Sequence, residues 1–453
     1  MFCTSPRGQL LRGLAVCAHS LCDHDEMSVE AGTVATITRR AADRLRSGHL
    51  WVYRSDIVRL THNNAAEIAG GSLVSVADSR GIPFGTAIYS AQSEIALRMI
   101  SRQPGLSRAH YLSDLRERIL AAVRLRERLV PEAFSAAVAS EADNACRLIF
   151  SEADDLPGIV ADRYNGLVVV QLLTQATAQD DVRHVLAEIL SQQSWVETIV
   201  ERPDPRIREL EHLGPPPAAP LFVRTPGDGE AALHSIFTIN DVRFHFDATT
   251  GQKTGAFLDQ RLNYAAAARY AAGSRGRALD ICTYQGGFAL HLAQTCDHVT
   301  GVDASRAALE VADRNLALNP GLRAKVDWLE ADAFELLRDF SDAGRSFDTI
   351  VLDPPAFAKS KRAAEGALRG YKELNLRAMK MLRSGKDGGG TLVTCSCSHH
   401  VSGEDFLEVI RSAAIDAGRR AQLVEARGAA PDHPAILTLP ETSYLKCLIL
   451  RID

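Results

Sequence analysis

The run Leu279-Asp280-Ile281-Cys282-Thr283-Tyr284-Gln285-Gly286-Gly287-Phe288, continued by the apolar-periodic stretch Ala289 to Leu292, constrains this chain more than any other. A β-prone run that ends near a carboxylate, then two glycines, then a helical pattern reads as the first strand, turn and helix of a nucleotide-binding α/β unit. Glycine admits backbone N–H groups close to a ligand where a Cβ would stand in the way. The G-x-G-x-x-G spacing of dinucleotide sites is absent, and Asp280 precedes the turn. A carboxylate placed there suits a ligand with an ammonium and a ribose better than a pyrophosphate, and S-adenosylmethionine is such a ligand. Tight strand-to-helix packing alone would also ask for two glycines, so the later motifs have to carry the assignment.

From about Asp241 onward the pattern alternates. Strands are expected near 277–282, 298–303, 324–329, 347–352 and 390–396, with helices near 287–295, 305–318, 333–340, 365–383 and 402–417 between them. Alternation of this kind means an α/β fold, a doubly wound parallel sheet with helices on both faces. Ligands of such sheets gather beyond the carboxyl ends of the strands. Read in order, those ends carry Asp280, Asp303, Asp332, Asp353 and Cys397. Asp303 is placed to accept both hydroxyls of a ribose, and Asp332 to hold an adenine amino edge. Capping of the next helix explains one such aspartate; four at successive strand ends point to a cofactor.

Two motifs bear on the acceptor. In Asp353-Pro354-Pro355-Ala356-Phe357 the prolines fix a backbone that cannot continue the strand, and Phe357 offers an apolar face for a flat base. The loop alone does not choose the target atom, because related loops serve enzymes that methylate exocyclic amines. Gly389-Gly390-Thr391-Leu392-Val393-Thr394-Cys395-Ser396-Cys397-Ser398 brings a thiol to the last cofactor-facing strand end. Carbon 5 of a pyrimidine is a poor nucleophile, and a thiolate adding at carbon 6 turns it into an enamine-like carbon that can attack a sulfonium methyl. Side chains alternate along a strand, so Cys395 and Cys397 face the same way. Cys397, nearer the mouth, is assigned as the nucleophile and Cys395 as buried packing; the competing reading makes both small apolar core residues.

Upstream, residues 33 to about 104 read as short strands around one basic helix, a small β-barrel. Arg39, Arg40, Arg44, Arg46, Arg54 and Arg59 face only Asp43 and Asp56 between Thr33 and His62. Arg39, Arg40 and Arg44, beside Trp51 and Tyr53, are candidates for phosphate contact and stacking on RNA; the alternative is that the aromatics are core. A long helix is expected from about Leu112 to Leu129, a hairpin at Asn165-Gly166, and a helix over 178–192. Glu152 and Asp154 read as turn and surface acids. The expected division is 1–32, a disordered extension or overcalled start with Met27 as initiator; 33–104, RNA-binding; 105–240, a central α+β module; and 241–453, the catalytic domain.

The net charge of −5 argues against a protein that coats nucleic acid along its whole surface. No run of about 18 apolar residues is present to span a bilayer. The nine cysteines, odd in number and scattered, speak for a reducing cytoplasm rather than a disulfide framework. No metal site is expected.

Taken together, the motifs resemble those of the bacterial 23S ribosomal RNA large subunit methyltransferase I family, which makes 5-methylcytosine. The likeness runs from about residue 33 to the end. It rests on Leu156-Pro157-Gly158 with Asp162-Arg163-Tyr164, on Lys253-Thr254-Gly255 with Leu258-Asp259-Gln260-Arg261, and on Tyr284-Gln285-Gly286-Gly287-Phe288. It continues through Asp353 to Phe357, Arg369-Gly370-Tyr371-Lys372, Ser396-Cys397-Ser398, Asp432-His433-Pro434 and Tyr444-Leu445-Lys446. The resemblance implies a PUA domain, a central module and a class I methyltransferase domain using S-adenosylmethionine, with 23S ribosomal RNA as partner. It further implies that Gln260 and Arg261 border the cofactor pocket, that the family's motif cysteine falls on Cys397, and that Asp353 holds the cytosine edge. Three departures stand out. Pro354 and Pro355 follow Asp353 in a loop where many relatives carry a second cysteine, His399-His400 replaces small residues, and residues 1–32 match nothing. A branch that methylates a guanine ring nitrogen, and an RNA-binding factor that has lost catalysis, are the rival readings. The sequence leaves the oligomeric state open, a homodimer among the options.

Overall fold

The computed structural model describes residues 32–61, 68–134, 143–225, 233–249, 255–271, 276–357, 361–385 and 388–453. Residues 1–31 of the expected extension, and Lys253 and Thr254 of the family motif, lie outside the described residues.

The first sheet contains β1 (Val34–Ile37), β2 (Trp51–Tyr53), β3 (Ile57–Thr61), β4 (Leu73–Asp78), β5 (Pro83–Tyr89) and β6 (Ile95–Ser101) in the order β2-β6-β5-β4-β1-β3. Alternation along β1 buries Ala35 and Ile37, which join Val52, Val74, Val76, Ala87 and Leu97 in one core. Between β1 and β2 lies α1 (Arg39–Arg46), capped by Thr38, whose hydroxyl accepts the Ala41 N–H at 3.2 Å. Only Ala41 and Ala42 of this helix are buried, so small side chains seat it on the strands while Arg39 and Arg40 stay exposed.

The central module is a five-stranded sheet behind α2 (Arg108–Leu129). Its strands β7 (Ala145–Phe150), β8 (Ile159–Tyr164), β9 (Leu167–Leu172), β10 (Thr198–Glu201) and β11 (Phe222–Val223) are ordered β11-β10-β9-β8-β7, with α3 (Asp180–Leu190) and α4 (Pro205–Glu211) in the connections. The hairpin expected at Asn165-Gly166 joins β8 to β9, pairing Tyr164 with Leu167, and Asn165 takes a φ of +59°. Every residue of β8 and β9 is buried. Val168 and Val170 pack in one core with Leu115 and Ile119 of α2, while Tyr164 and Val169 pack in another with Phe237, Phe244 and Phe246. Helices cover one face of the sheet and the start of the next region covers the other.

That second cover is a hairpin, β12 (His234–Ile239) with β13 (Val242–Asp247), turning at Asn240-Asp241, both at positive φ. A boundary at 240/241 would cut the hairpin at its turn. Beyond it come α5 (Arg261–Ala271), β14 (Arg277–Ile281), α6 (Gly287–Leu292), β15 (His298–Asp303), α7 (Arg306–Ala317), β16 (Lys325–Glu330) and α8 (Ala333–Asp342). They are followed by β17 (Thr349–Leu352), α9 (Ala364–Met381), β18 (Gly390–Ser396), α10 (Gly403–Ala417), β19 (Ala421–Arg427) and β20 (Lys446–Ile452). The seven strands are ordered β16-β15-β14-β17-β18-β20-β19, parallel except for β20, which runs against both its neighbours. The chain leaves β14 toward β15 on one side and returns to β17 on the other, which opens a crevice at the carboxyl ends. Among the described residues no helix is long and apolar enough to cross a membrane.

The structure corrects the reading of Glu152 and Asp154 as surface acids. Glu152 is buried and accepts the indole N–H of Trp51 at 2.8 Å, and Asp154 takes both ends of the fully buried Arg126 guanidinium, one of them at 2.8 Å. Trp51 thereby joins the first sheet to the central module. Arg126 also donates to the Asp432 carbonyl at 2.9 Å, while the Asp432 carboxylate accepts the Arg147 N–H at 2.9 Å and lies 3.5 Å from Arg261. Burial works against the charge of Asp432, but His433, Arg261 and the Arg147 N–H hold its carboxyl well below the usual range.

Candidate active site

A cavity of about 370 Å³ opens beyond the ends of β14, β15, β16, β17 and β18, within the range of cofactor sites. Its wall is built from strand-to-helix turns on one side and from Phe237, Ile239 and Phe244 of the β12–β13 hairpin on the other.

The turn after β14 is unusual in its backbone. Cys282 and Tyr284 take φ values of +64° and +52°, and Gly286 +88°. Non-glycine residues held there cost on the order of 1–3 kcal/mol each, and such strain clusters at ligand sites. The turn is held by Asp303, which accepts the Tyr284 N–H through one oxygen and the Ser305 N–H through the other, each at 2.9 Å. A carboxylate has about four acceptor positions, so Asp303 keeps capacity for a diol. Asp332 caps α8, accepting from Phe334 at 2.9 Å and Glu335 at 3.1 Å through one oxygen, which leaves the other for a ligand. Tyr284, Gly287, Phe288, Asp303 and Asp332 all line the cavity.

Three residues expected around the cofactor are not in the lining. Asp280 is fully buried behind the turn, where it accepts the Thr283 hydroxyl at 2.5 Å. Burial, opposed by hydrogen bonds from Thr283 and Ala289, pushes its carboxyl up to about 7. Gly286 caps α6 just outside the lining. Arg261 is turned away from the cavity toward Asp432 and Glu132, since a buried guanidinium must find carboxylates and these are the ones its helix faces.

At the other end stand the acceptor-side residues. Gln260 donates to Asp353 at 3.0 Å, its own oxygen accepts from Asn263 at 2.6 Å, and Asn263 accepts from Arg427 at 2.8 Å. This relay fixes the amide of Gln260, and with it the carboxylate of Asp353. Pro354, Pro355 and Phe357 line the cavity with Asp353, and Phe357 is backed by Tyr371 at 4.8 Å and Phe334 at 5.8 Å between ring centres. Cys397 follows directly on β18 and lines the cavity. Cys395, two residues deeper, is fully buried opposite Cys447, and burial pushes its thiol well above the usual range. On the other face of the strand end, the Ser396 hydroxyl donates to Tyr371 at 3.0 Å, and Tyr371 and Ser398 lie 2.9 Å apart.

The site also contains residues the sequence reading passed over. Asp259, Tyr264, Phe334 and Leu445 are in the lining, with the β12–β13 aromatics. The alternation on either side of Asn240-Asp241 was the available signal for that hairpin. Arg39, Arg40 and Arg44 are not brought to this cavity; they line a shallow depression on α1 with Asp43 and Ser47. Arg40 and Arg44 grip the buried Asp56 at 2.8 and 2.5 Å, and Arg44 lies 5.1 Å over the Tyr53 ring. Burial would raise the Asp56 carboxyl, but the hydrogen bonds from Arg40, Arg44 and Thr38 leave it below its usual value.

The donor set therefore fits an adenosyl cofactor: two strand-end carboxylates with spare acceptor capacity, an apolar wall and a glycine turn. Residues 35–102 match the family model of a PUA-like domain, and residues 151–451 that of the S-adenosylmethionine-dependent methyltransferases. The chain is 35% identical over 407 residues to the ribosomal RNA large subunit methyltransferase I of Shewanella amazonensis, covering 89% of this chain and 95% of that protein. With the enzyme of the same name from Erwinia tasmaniensis it is 35% identical over 422 residues, 93% of this chain and 100% of the other. Among solved structures it resembles a proposed methyltransferase complexed with SAH, with a TM-score of 0.73, 16% identity and coverage of 92% and 99%, a likeness of fold.

Proposed function

The chain belongs to the ribosomal RNA large subunit methyltransferase I family, and from that premise we propose that it methylates carbon 5 of a cytosine in 23S ribosomal RNA through a covalent adduct on Cys397. It is an S-adenosylmethionine-dependent ribosomal RNA methyltransferase; the base, the atom and the adduct are the finer reading. One observation carries that reading: a thiol, Cys397, lines the same cavity as Asp353, Pro354, Pro355 and Phe357 and as the carboxylates Asp303 and Asp332. A guanine-nitrogen methyltransferase has no use for the thiol, and an idle factor none for the set.

In this reading Asp303 holds the ribose hydroxyls of the cofactor and Asp332 its adenine edge. When bound, S-adenosylmethionine supplies an electrophilic methyl to the carbon that the protein has activated. Pro354, Pro355 and Phe357 keep the target base flat in the pocket once it has left its stack. The Cys397 thiolate forms a bond to carbon 6, the electron pair of the 5,6 double bond shifts to form a 4,5 double bond while the 3,4 pair goes to ring nitrogen 3, and Asp353, set by Gln260, holds the cytosine edge and as the carboxylic acid gives its proton to that nitrogen. After substitution at carbon 5, a base takes its proton, the double bond re-forms and the carbon–sulfur bond breaks to return the thiolate. With prolines after Asp353, that base is not a second cysteine of the loop. Arg39, Arg40 and Arg44 meet the RNA backbone away from the cavity.

Transfer of labelled methyl to 23S ribosomal RNA, with identification of the modified base, tests this directly. The product expected is 5-methylcytosine; a methylated guanine, or no transfer, overturns the reading. Cys397→Ala loses turnover by on the order of a thousandfold or more with cofactor binding intact, while Cys395→Ala stays active. The reverse pattern would put the nucleophile on the deeper cysteine.

A further inference from the structure

Lys446 opens β20 and lies directly opposite Ser396, the last residue of β18, in the antiparallel ladder. The residue after Ser396 is Cys397. Lys446 is half-buried and lines no part of the cavity. Its ammonium donates to the carbonyl of Ser398 at 2.7 Å and to that of Val401 at 2.9 Å, two points on the turn that carries Cys397 away from the sheet. Such a clamp is costly to build for stability alone, because a partly desolvated ammonium tied to two neutral carbonyls has no carboxylate paired with it among the described residues.

We infer that Lys446 is a positioning residue for Cys397: it pins the turn that presents the thiol and sets a fixed positive charge beside it, which favours the thiolate. The inference rests on the reading of Cys397 as nucleophile. Burial pulls the Lys446 ammonium below its usual range while a charge on Cys397 pushes it back up, so the two groups feel one another. The other ionisable groups facing Cys397 are Tyr371 from α9 and Tyr444 ahead of β20, with Asp353 and Asp259 on the cavity wall and His399 on the same turn, its ring 5.5 Å from that of Tyr444. The carboxylates oppose a thiolate, whereas a tyrosine hydroxyl or the His399 ring can only donate to one, and neither stands as a fixed charge. Arg147, beyond Tyr444, is held by Asp162 at 2.6 Å; Lys446 is a cation on the strand next to the thiol.

The test is the rate of Cys397 alkylation by iodoacetamide in the full chain as a function of pH, read on the Cys397 peptide by mass spectrometry. Lys446→Gln and Lys446→Met should move the midpoint up by about one pH unit, so that below it alkylation slows about tenfold, and Lys446→Arg should hold it near the wild-type value. Identical midpoints in wild type and the neutral variants, with only the high-pH plateau changed, would mean a purely structural clamp and overturn the inference. If neither neutral variant binds cofactor and folds, Lys446→Arg still decides, since an upward shift despite the retained charge also overturns it. Methyl transfer by Cys397→Ala is scored separately: activity there sinks the catalytic reading, whereas an unchanged midpoint sinks only the role of Lys446.

Discussion

At the scale of single residues, the contrast between Cys395 and Cys397 shows how much two positions along one strand matter. Both face the same way, yet one is sealed against Cys447 and the other reaches the cavity, an ordering that follows from side-chain alternation and from where β18 stops. Asp280 shows the opposite case. Its place at a strand end was legible, but its full burial was not, because that depends on the helix and the turn folding over it. The consequence is measurable. An acid whose folded pKa is raised to about 7 contributes stability that is complete below its unfolded value and is lost as pH rises through the folded one. Asp280→Asn removes that dependence, so its melting temperature relative to wild type should climb between about pH 4 and pH 7 and then level off. A flat difference across that range would mean Asp280 is charged in the folded protein at every pH tested.

Elements were legible wherever periodicity and breakers agreed. The helix expected from Leu112 to Leu129 runs from Arg108, because Ser107 caps it one turn earlier, accepting the His110 N–H at 3.3 Å. The strands of the large sheet fall within about two residues of their expected places. The β12–β13 hairpin falls outside the expected elements, though its Asn-Asp turn between alternating runs carries a hairpin signal, because the expected domain boundary cuts that turn. The glycine turn between β14 and α6 yields a prediction of its own. Gly286, at a φ of +88°, would place a Cβ 3.0 Å from the Trp328 ring and in a backbone region that L residues avoid. Gly286→Ala should cost about 1–2 kcal/mol, seen as a lower denaturation midpoint, and bound cofactor should recover part of it. An unchanged midpoint would show that the turn relaxes freely.

For the whole molecule, the decisive contacts join distant parts of the chain. Trp51 reaches Glu152, Gln175 accepts the Ala91 N–H at 2.7 Å, and Asp432 sits among Arg126, Arg147 and Arg261. The first sheet is thus tied to the central module, and the central module to the loop between β19 and β20. Trp51→Phe keeps an aromatic side chain, though a smaller one, and removes a donor from a buried carboxylate, a loss of about 1–3 kcal/mol from the hydrogen bond. Calorimetry should show the first sheet unfolding earlier than the rest, and a single unshifted transition would place the coupling elsewhere. By itself the sequence determined the parallel α/β sheet, its strand-end carboxylates and the position of Cys397 at a strand mouth, since periodicity and chain direction set where a side chain points from its own backbone. Only the tertiary structure decided which group stands opposite: Gln260 against Asp353, Arg261 against Asp432, Lys446 beneath the turn of Cys397. Partners so far apart along the chain meet through packing, and no local pattern encodes the other half of a contact.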